Sequence, residues 1–147
     1  MNRNRKNDRI KLLNALFNIS KMGMEASEII LPRTDGKKLR NQIRKQDENY
    51  INLMEKSRAM MKSEGQQPAG VSNGVQRMLR SAVKMHTFLQ HDPQHIAEMM
   101  VRGTTIGIVK MTQTMNHTPD CDTKARRFAE DYIHGEEQNI DQLKQFL

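Results

Sequence analysis

Apolar residues return every three or four positions along most of this chain, and the breaks between these stretches hold Pro, Gly, Asn and Asp. The pattern predicts five helices. The first covers about 8–31, with Leu13, Leu16, Phe17, Met24 and Leu31 on one stripe and Pro32 as its stop. The second covers about 35–64 after Thr34-Asp35-Gly36, with Leu39, Ile43, Tyr50, Leu53, Met54 and Met61 in line. The longest break, Glu64 to Asn73, contains Gly65, Pro68 and Gly70. A shorter third helix over about 73–91 has Val75, Leu79, Ala82 and Leu89 opposite Arg77, Arg80 and Lys84. Asp92-Pro93 reads as an N-cap and first helical residue. It opens a fourth helix over about 93–117, with Ile96, Met99, Met100, Gly103, Ile106, Gly107 and Met111 inward. After the Asn116–Asp120 turn, the fifth helix covers about 120–147, with Ala125, Phe128, Ala129, Tyr132, Ile140, Leu143 and Leu147 inward.

The expected fold is therefore all-α. Helices one and two, and four and five, form two long hairpins of a four-helix bundle, with the third as a crossover or flanking helix. Residues 8–147 make one domain, preceded by a flexible basic N-terminus at 1–7.

The polar residues inside the stripes carry the most information. Ser20 and Ser27 fall within the first stripe, Gln46 and Ser57 within the second, and Glu136 and Asn139 within the fifth. Glu25, Glu48 and Glu98 point away from their stripes. Glu136 alone is a carboxylate at the centre of an apolar face, so it must be hydrogen-bonded, paired or protonated. Tyr132 and Asn139 flank it by one turn, and Gln46, Tyr50 and Ser20 face it from the first hairpin. These six form the expected core polar cluster. Gly103 and Gly107, four apart, are expected to let two helices approach closely.

Three stretches resemble an uncharacterised group of small bacterial ferritin-like proteins: His95-Ile96-Ala97-Glu98-Met99, Gly103-Thr104-Thr105-Ile106-Gly107-Ile108, and the segment from Glu136-Glu137-Gln138-Asn139 to Phe146-Leu147. The resemblance covers most of the chain and implies a ferritin-like four-helix bundle. Metal-binding bundles of this kind use a Glu from each of two helices and Glu-x-x-His from each of the other two. Here Glu136-x-x-Asn139 and Gln46-x-x-Asn49 stand in those places, and helix one offers Ser20 and Ser27. One inward carboxylate does not make a dinuclear site. No metal and no cofactor is expected; Glu136 is the residue a metal would use. His95-x-x-Glu98 and His134-x-x-Glu137 read as surface pairs.

Composition narrows the class further. Of 147 residues, 4% are aromatic and none is Trp, too few for an all-β sandwich. No run approaches the ~18 apolar residues of a membrane span. One cysteine, Cys121, excludes an internal disulfide, and with no secretory h-region the expected compartment is the cytoplasm. Asp120 and Asp122 disfavour its thiolate, so it is not a nucleophile.

The net charge of +7 lies wholly in residues 1–64, with 15 Lys and Arg against 8 Asp and Glu; residues 65–147 carry nine of each. Three functions follow from these features. The first is a non-catalytic bundle acting through protein contacts, as a homo-oligomer or with another protein, because Met22, Met60, Met78 and Met85 extend the apolar surface. The second is a metal-binding or oxidoreductase protein with a degenerate carboxylate site at Glu136. The third is a nucleic-acid binder using Arg3, Arg5, Lys6, Arg9 and Lys11 with Lys37, Lys38, Arg40, Arg44 and Lys45. Missing aromatic interleaving disfavours the third. No catalytic residue is expected.

Overall fold

The side chains of Asn2, Asp92 and Asp122 cap the starts of three helices. The structure, a computed structural model, describes residues 2–70, 73–89 and 91–147, with the side chains of 73–75 and 86–89 outside that description. In order it contains α1 (Arg3–Ile30), a 3-10 turn (Leu31–Arg33), α2 (Lys37–Lys62), α3 (Asn73–Leu89), α4 (Pro93–Asn116), α5 (Thr123–Leu143) and a closing 3-10 turn (Lys144–Phe146). The all-α expectation holds: no strand occurs among the described residues.

Asp92 caps α4 as expected, its Oδ1 accepting from the His95 N–H at 3.0 Å. Two ends differ from expectation. Asn2 accepts from the Asn4 N–H, so α1 begins at Arg3 and takes in residues expected to precede the helix. Asp122, not Asp120, caps α5 by accepting from the Ala125 N–H at 3.1 Å. The Asp120 N–H instead donates to Asp8 on α1 at 2.9 Å.

The connection after α1 is short. Pro32 opens a tight turn, and Gly36, at φ 92°, takes a left-handed conformation before α2. α1 thus packs along α2, and α4 along α5; α1 also meets α4, and α2 meets α5. The four long helices close into a ring, with α3 outside it against α1.

Two asparagines lead the chain from α2 towards α3. One turn apart on α1, Asn14 accepts from the Ala69 N–H at 2.8 Å and Asn18 donates to the Ala69 carbonyl at 2.9 Å. Arg9 fastens the same end of the ring. Its Nη1 donates to Asp122 at 3.0 Å and its Nε pairs with Glu64 at 3.3 Å. Arg9 was grouped with the basic residues for nucleic acid, but it is a half-buried structural cation.

The interior holds two apolar clusters. One includes Leu12, Leu13, Leu16, Met61, Met111, Met115, Ala125 and Ala129. The other is Ile30, Leu39, Ile43, Ile96, Met100 and Leu143. Between its contributions to the two clusters, each long helix carries a buried polar residue: Ser20, Gln46, Thr104 and Glu136.

The α4 face is turned from the expected one. Ile96, Ala97, Met100, Thr104, Gly107, Met111 and Met115 are buried, while Gly103 and Ile106 are exposed. The apolar surface of α4 is wide because it faces both the ring and the space beneath α3, and a single stripe averages the two directions. Leu147 was expected inward; it lies past the last turn of α5 and is exposed. The expected Val75 and Leu89 side chains lie outside the described residues.

Arg9 supplies a test of the ring's closure. Burial alone would raise the Asp122 pKa, but the Ala125 N–H and the Arg9 charge outweigh it and hold the carboxyl below its ordinary value. The ion pair therefore stabilises the fold above the ordinary carboxylate range and is lost as pH falls through it. Arg9→Met should cost about 1–3 kcal/mol near neutral pH, with a smaller difference in acid, measured by denaturant unfolding.

Candidate functional site

Glu136 reaches the middle of the ring because α5 places it one turn after Tyr132 and between buried apolar positions. Only 3% of it is exposed. Tyr50 of α2 donates its hydroxyl to Oε2 at 2.8 Å, and Asn139 donates its amide to Oε1 at 3.2 Å. Gln42 in turn donates to Asn139 Oδ1 at 3.3 Å. The carboxyl is thereby fixed from two helices.

Burial pushes the Glu136 pKa up from its ordinary 4.5 to about 7, against the hydrogen bonds from Tyr50, Asn139 and Thr104 that favour the charged form. Burial also raises Tyr50 and Tyr132, and the neighbouring Glu136 charge adds to both. Both phenols stay protonated near neutral pH.

Two glycines make room for the two tyrosines. A methyl group at Gly23 of α1 would stand 2.8 Å from the Tyr50 ring. One at Gly107 of α4 would collide with the Tyr132 hydroxyl. Gly107 therefore makes room for a phenol of α5, with Ile19 of α1 also 3.5 Å from such a methyl, whereas a methyl at Gly103 meets nothing within 4 Å. The expected paired role of these two glycines separates into one packing position and one open position.

Against this cluster lies a cavity of about 480 Å³. Ile19, Ile29 and Ile30 of α1, Leu79 and Val83 of α3, and Met99 and Met100 of α4 form much of its wall. Tyr50, Thr104, Tyr132 and Glu136 form its polar part. Its volume falls within the ~300–1,000 Å³ range of small-molecule pockets, and a mostly apolar wall with a few convergent polar groups is their usual make-up.

Of the six residues expected in the core polar cluster, the structure joins Glu136, Tyr50 and Asn139 by hydrogen bonds and sets Tyr132 beside them. Gln46 and Ser20 are both fully buried, but neither side chain has a hydrogen-bond partner among the described residues. Thr104, Gln42 and Gly23 belong to the site and were not singled out. Thr104 lies in a run with Thr105 that reads as solvent-facing, and the signal for it was its three-residue spacing from Gly107. His134 and Glu137 pair on the surface at 3.4 Å. Among the described residues, no three His, Cys, Asp or Glu come together as a metal-ligand set. The Cys121 thiol is pushed up to about 11, first by burial and then by Asp122 and Asp8.

No family model matches the chain, and no curated protein does. Its structure is similar to the crystal structure of a DUF305 fragment from Deinococcus radiodurans. The TM-score is 0.74, over 94% of this chain and 93% of that one, at 17% sequence identity. This likeness shows a shared all-helical fold. Among the described residues no helix is long and apolar enough to cross a membrane.

The raised Glu136 pKa makes folding pH-dependent. Unfolded, the carboxyl ionises near 4.5; folded, it keeps its proton to about 7. Stability should fall as pH rises between these values, by something of the order of 3 kcal/mol, and level off above them. Glu136→Gln should lack this component, so its stability relative to the parent rises across that window; denaturant unfolding at several pH values measures it. Separately, Gly107→Ala should cost about 1–3 kcal/mol by overpacking Tyr132, while Gly103→Ala should be neutral or stabilising by up to about 1 kcal/mol. Thermal melts of the two variants distinguish these outcomes.

Proposed function

We propose that the chain is a non-catalytic, ferritin-like helical-bundle protein that receives a small, largely apolar molecule in its interior. The observation that carries this reading is the cavity of about 480 Å³ between α1, α3 and α4, ending on Glu136, Tyr50 and Tyr132. A void of this size lined by apolar side chains forgoes dispersion contacts that a ligand would restore. The hydrogen bonds at its polar end hold one carboxyl in place, which suits recognition of a bound group.

The partner reading from the sequence also has support. Met78 and Met85 lie seven residues apart on α3 and are 73% and 65% exposed. Flexible methionine side chains suit a contact with a second copy of the chain. The lone Cys121 thiol suits a reducing compartment such as the cytoplasm.

Naphthalene and benzene should each raise the melting temperature of the parent, and Ala26→Phe, which fills the cavity from α1, should abolish the rise. No rise with either probe in the parent would remove the ligand reading. In light scattering, the parent should run as an oligomer and the Met78→Glu, Met85→Glu double variant as a monomer; a monomeric parent would remove the self-association reading.

A further inference from the structure

The polar end of the cavity has a direction to its chemistry. The Tyr50 hydroxyl already donates to Glu136 Oε2, and the Asn139 amide already donates to Oε1. Asn139 Oδ1 is itself occupied by Gln42. Thr104 also hydrogen-bonds Glu136 and Tyr50, so what the cluster still offers to a molecule in the cavity is mainly acceptor capacity: the remaining carboxylate lone pairs and the phenol oxygens, chiefly that of Tyr132. The tyrosine rings add electron-rich faces, and Met99 and Met100 add polarisable sulfur nearby. At the polar end an anionic group would meet the Glu136 carboxyl and only one unspent donor, the Tyr132 hydroxyl, while Arg80 and Lys110 lie on the exposed part of the wall. A neutral hydrocarbon would leave the acceptors unused. A group rich in N–H donors and positively charged would satisfy them.

We propose that the cavity is a site for an organic cation, a protonated amine or amidine on an apolar body, held with its N–H groups on the Glu136 carboxylate and the phenol oxygens of Tyr50 and Tyr132. The assignment rests on reading the cavity as a ligand site and adds the ligand's charge and polarity. The apolar body lies along Ile19, Ile29, Ile30 and Val83. Below neutral pH, binding displaces a proton: the Glu136 O–H bond breaks, the proton passes to the buffer, and the ligand ammonium keeps its own protons.

Other ionisable groups line the same cavity. Glu25 faces it from α1, Tyr50 from α2, Arg80 from α3, Lys110 from α4 and Tyr132 from α5. Arg80 and Lys110 are exposed, so solvent and salt screen them, whereas Glu136 lies in the interior. Glu136 therefore sets the preference.

The test is calorimetric titration with three matched probes, phenylbutylamine, phenylbutanol and phenylbutyrate, on the parent, Glu136→Gln and Tyr132→Phe, each checked for helical content. At about pH 8 the amine should bind the parent at least about tenfold more tightly than the alcohol, and Glu136→Gln should bring the two within about twofold. Lowering the pH from about 8 to about 6 should weaken the amine by about tenfold in the parent and leave the alcohol unchanged. Tyr132→Phe, which keeps both hydrogen bonds to Glu136, should weaken the amine about two- to fivefold and serves if Glu136→Gln does not fold. Equal binding of amine and alcohol, or an amine preference that persists in Glu136→Gln, would overturn the cation assignment while leaving the cavity as a ligand site. Tightest binding of phenylbutyrate would overturn it as well. No binding of any probe would remove the ligand reading itself.

Discussion

A carboxyl group withdrawn from water has to be accommodated, and much of this interior is arranged around that need at Glu136. Tyr50 and Asn139 reach its two oxygens. Gly23 and Gly107 give up side chains so that the two tyrosine rings fit. Tyr50 belongs to the α1–α2 hairpin and Glu136 to the α4–α5 hairpin, so this hydrogen bond aligns one hairpin against the other. Sliding one hairpin by a turn would leave the Glu136 acid group without Tyr50. The apolar clusters on either side would tolerate such a slip far better, because hydrophobic contact has little directional preference. The polar layer thus gives specificity to an interior whose stability comes mainly from the two apolar clusters.

The cavity is the complement of that layer. Four helices can close around a dry core, but a fifth lying outside the ring cannot fill the furrow beneath it unless its side chains are long enough. From α3, the apolar side chains that face this space are Leu79, Ala82 and Val83, none of them aromatic. The same furrow explains why α4 is apolar over so much of its circumference. Part of its surface serves the ring and part serves the space under α3.

The helices were legible because each has an apolar repeat and a break of Pro, Gly, Asn or Asp beside it, and the inward phase of Glu136 was legible because α5 has a narrow stripe. Gln46, Tyr50, Tyr132, Asn139 and Ser20 followed from the same logic and are buried. The α4 phase was not legible, since two apolar directions on one helix cannot be separated by a single period. The cavity depends on three helices meeting at distances no local pattern encodes. Arg9 read as one more surface cation because its partners, Glu64 and Asp122, are remote in sequence. The unpartnered amide of Gln46 has no account in the hydrogen bonds among the described residues.

Asn14 and Asn18 grip the backbone of Ala69 from both sides, donor to acceptor and acceptor to donor. This makes the passage from α2 to α3 two separate stretches with a fixed post between them. Lengthening the stretch before Ala69 alters only a surface loop, because the post still delivers the chain to the same point. An added residue between Gly65 and Pro68 therefore leaves Ala69 at the same place on α1, and the loop absorbs the change in length.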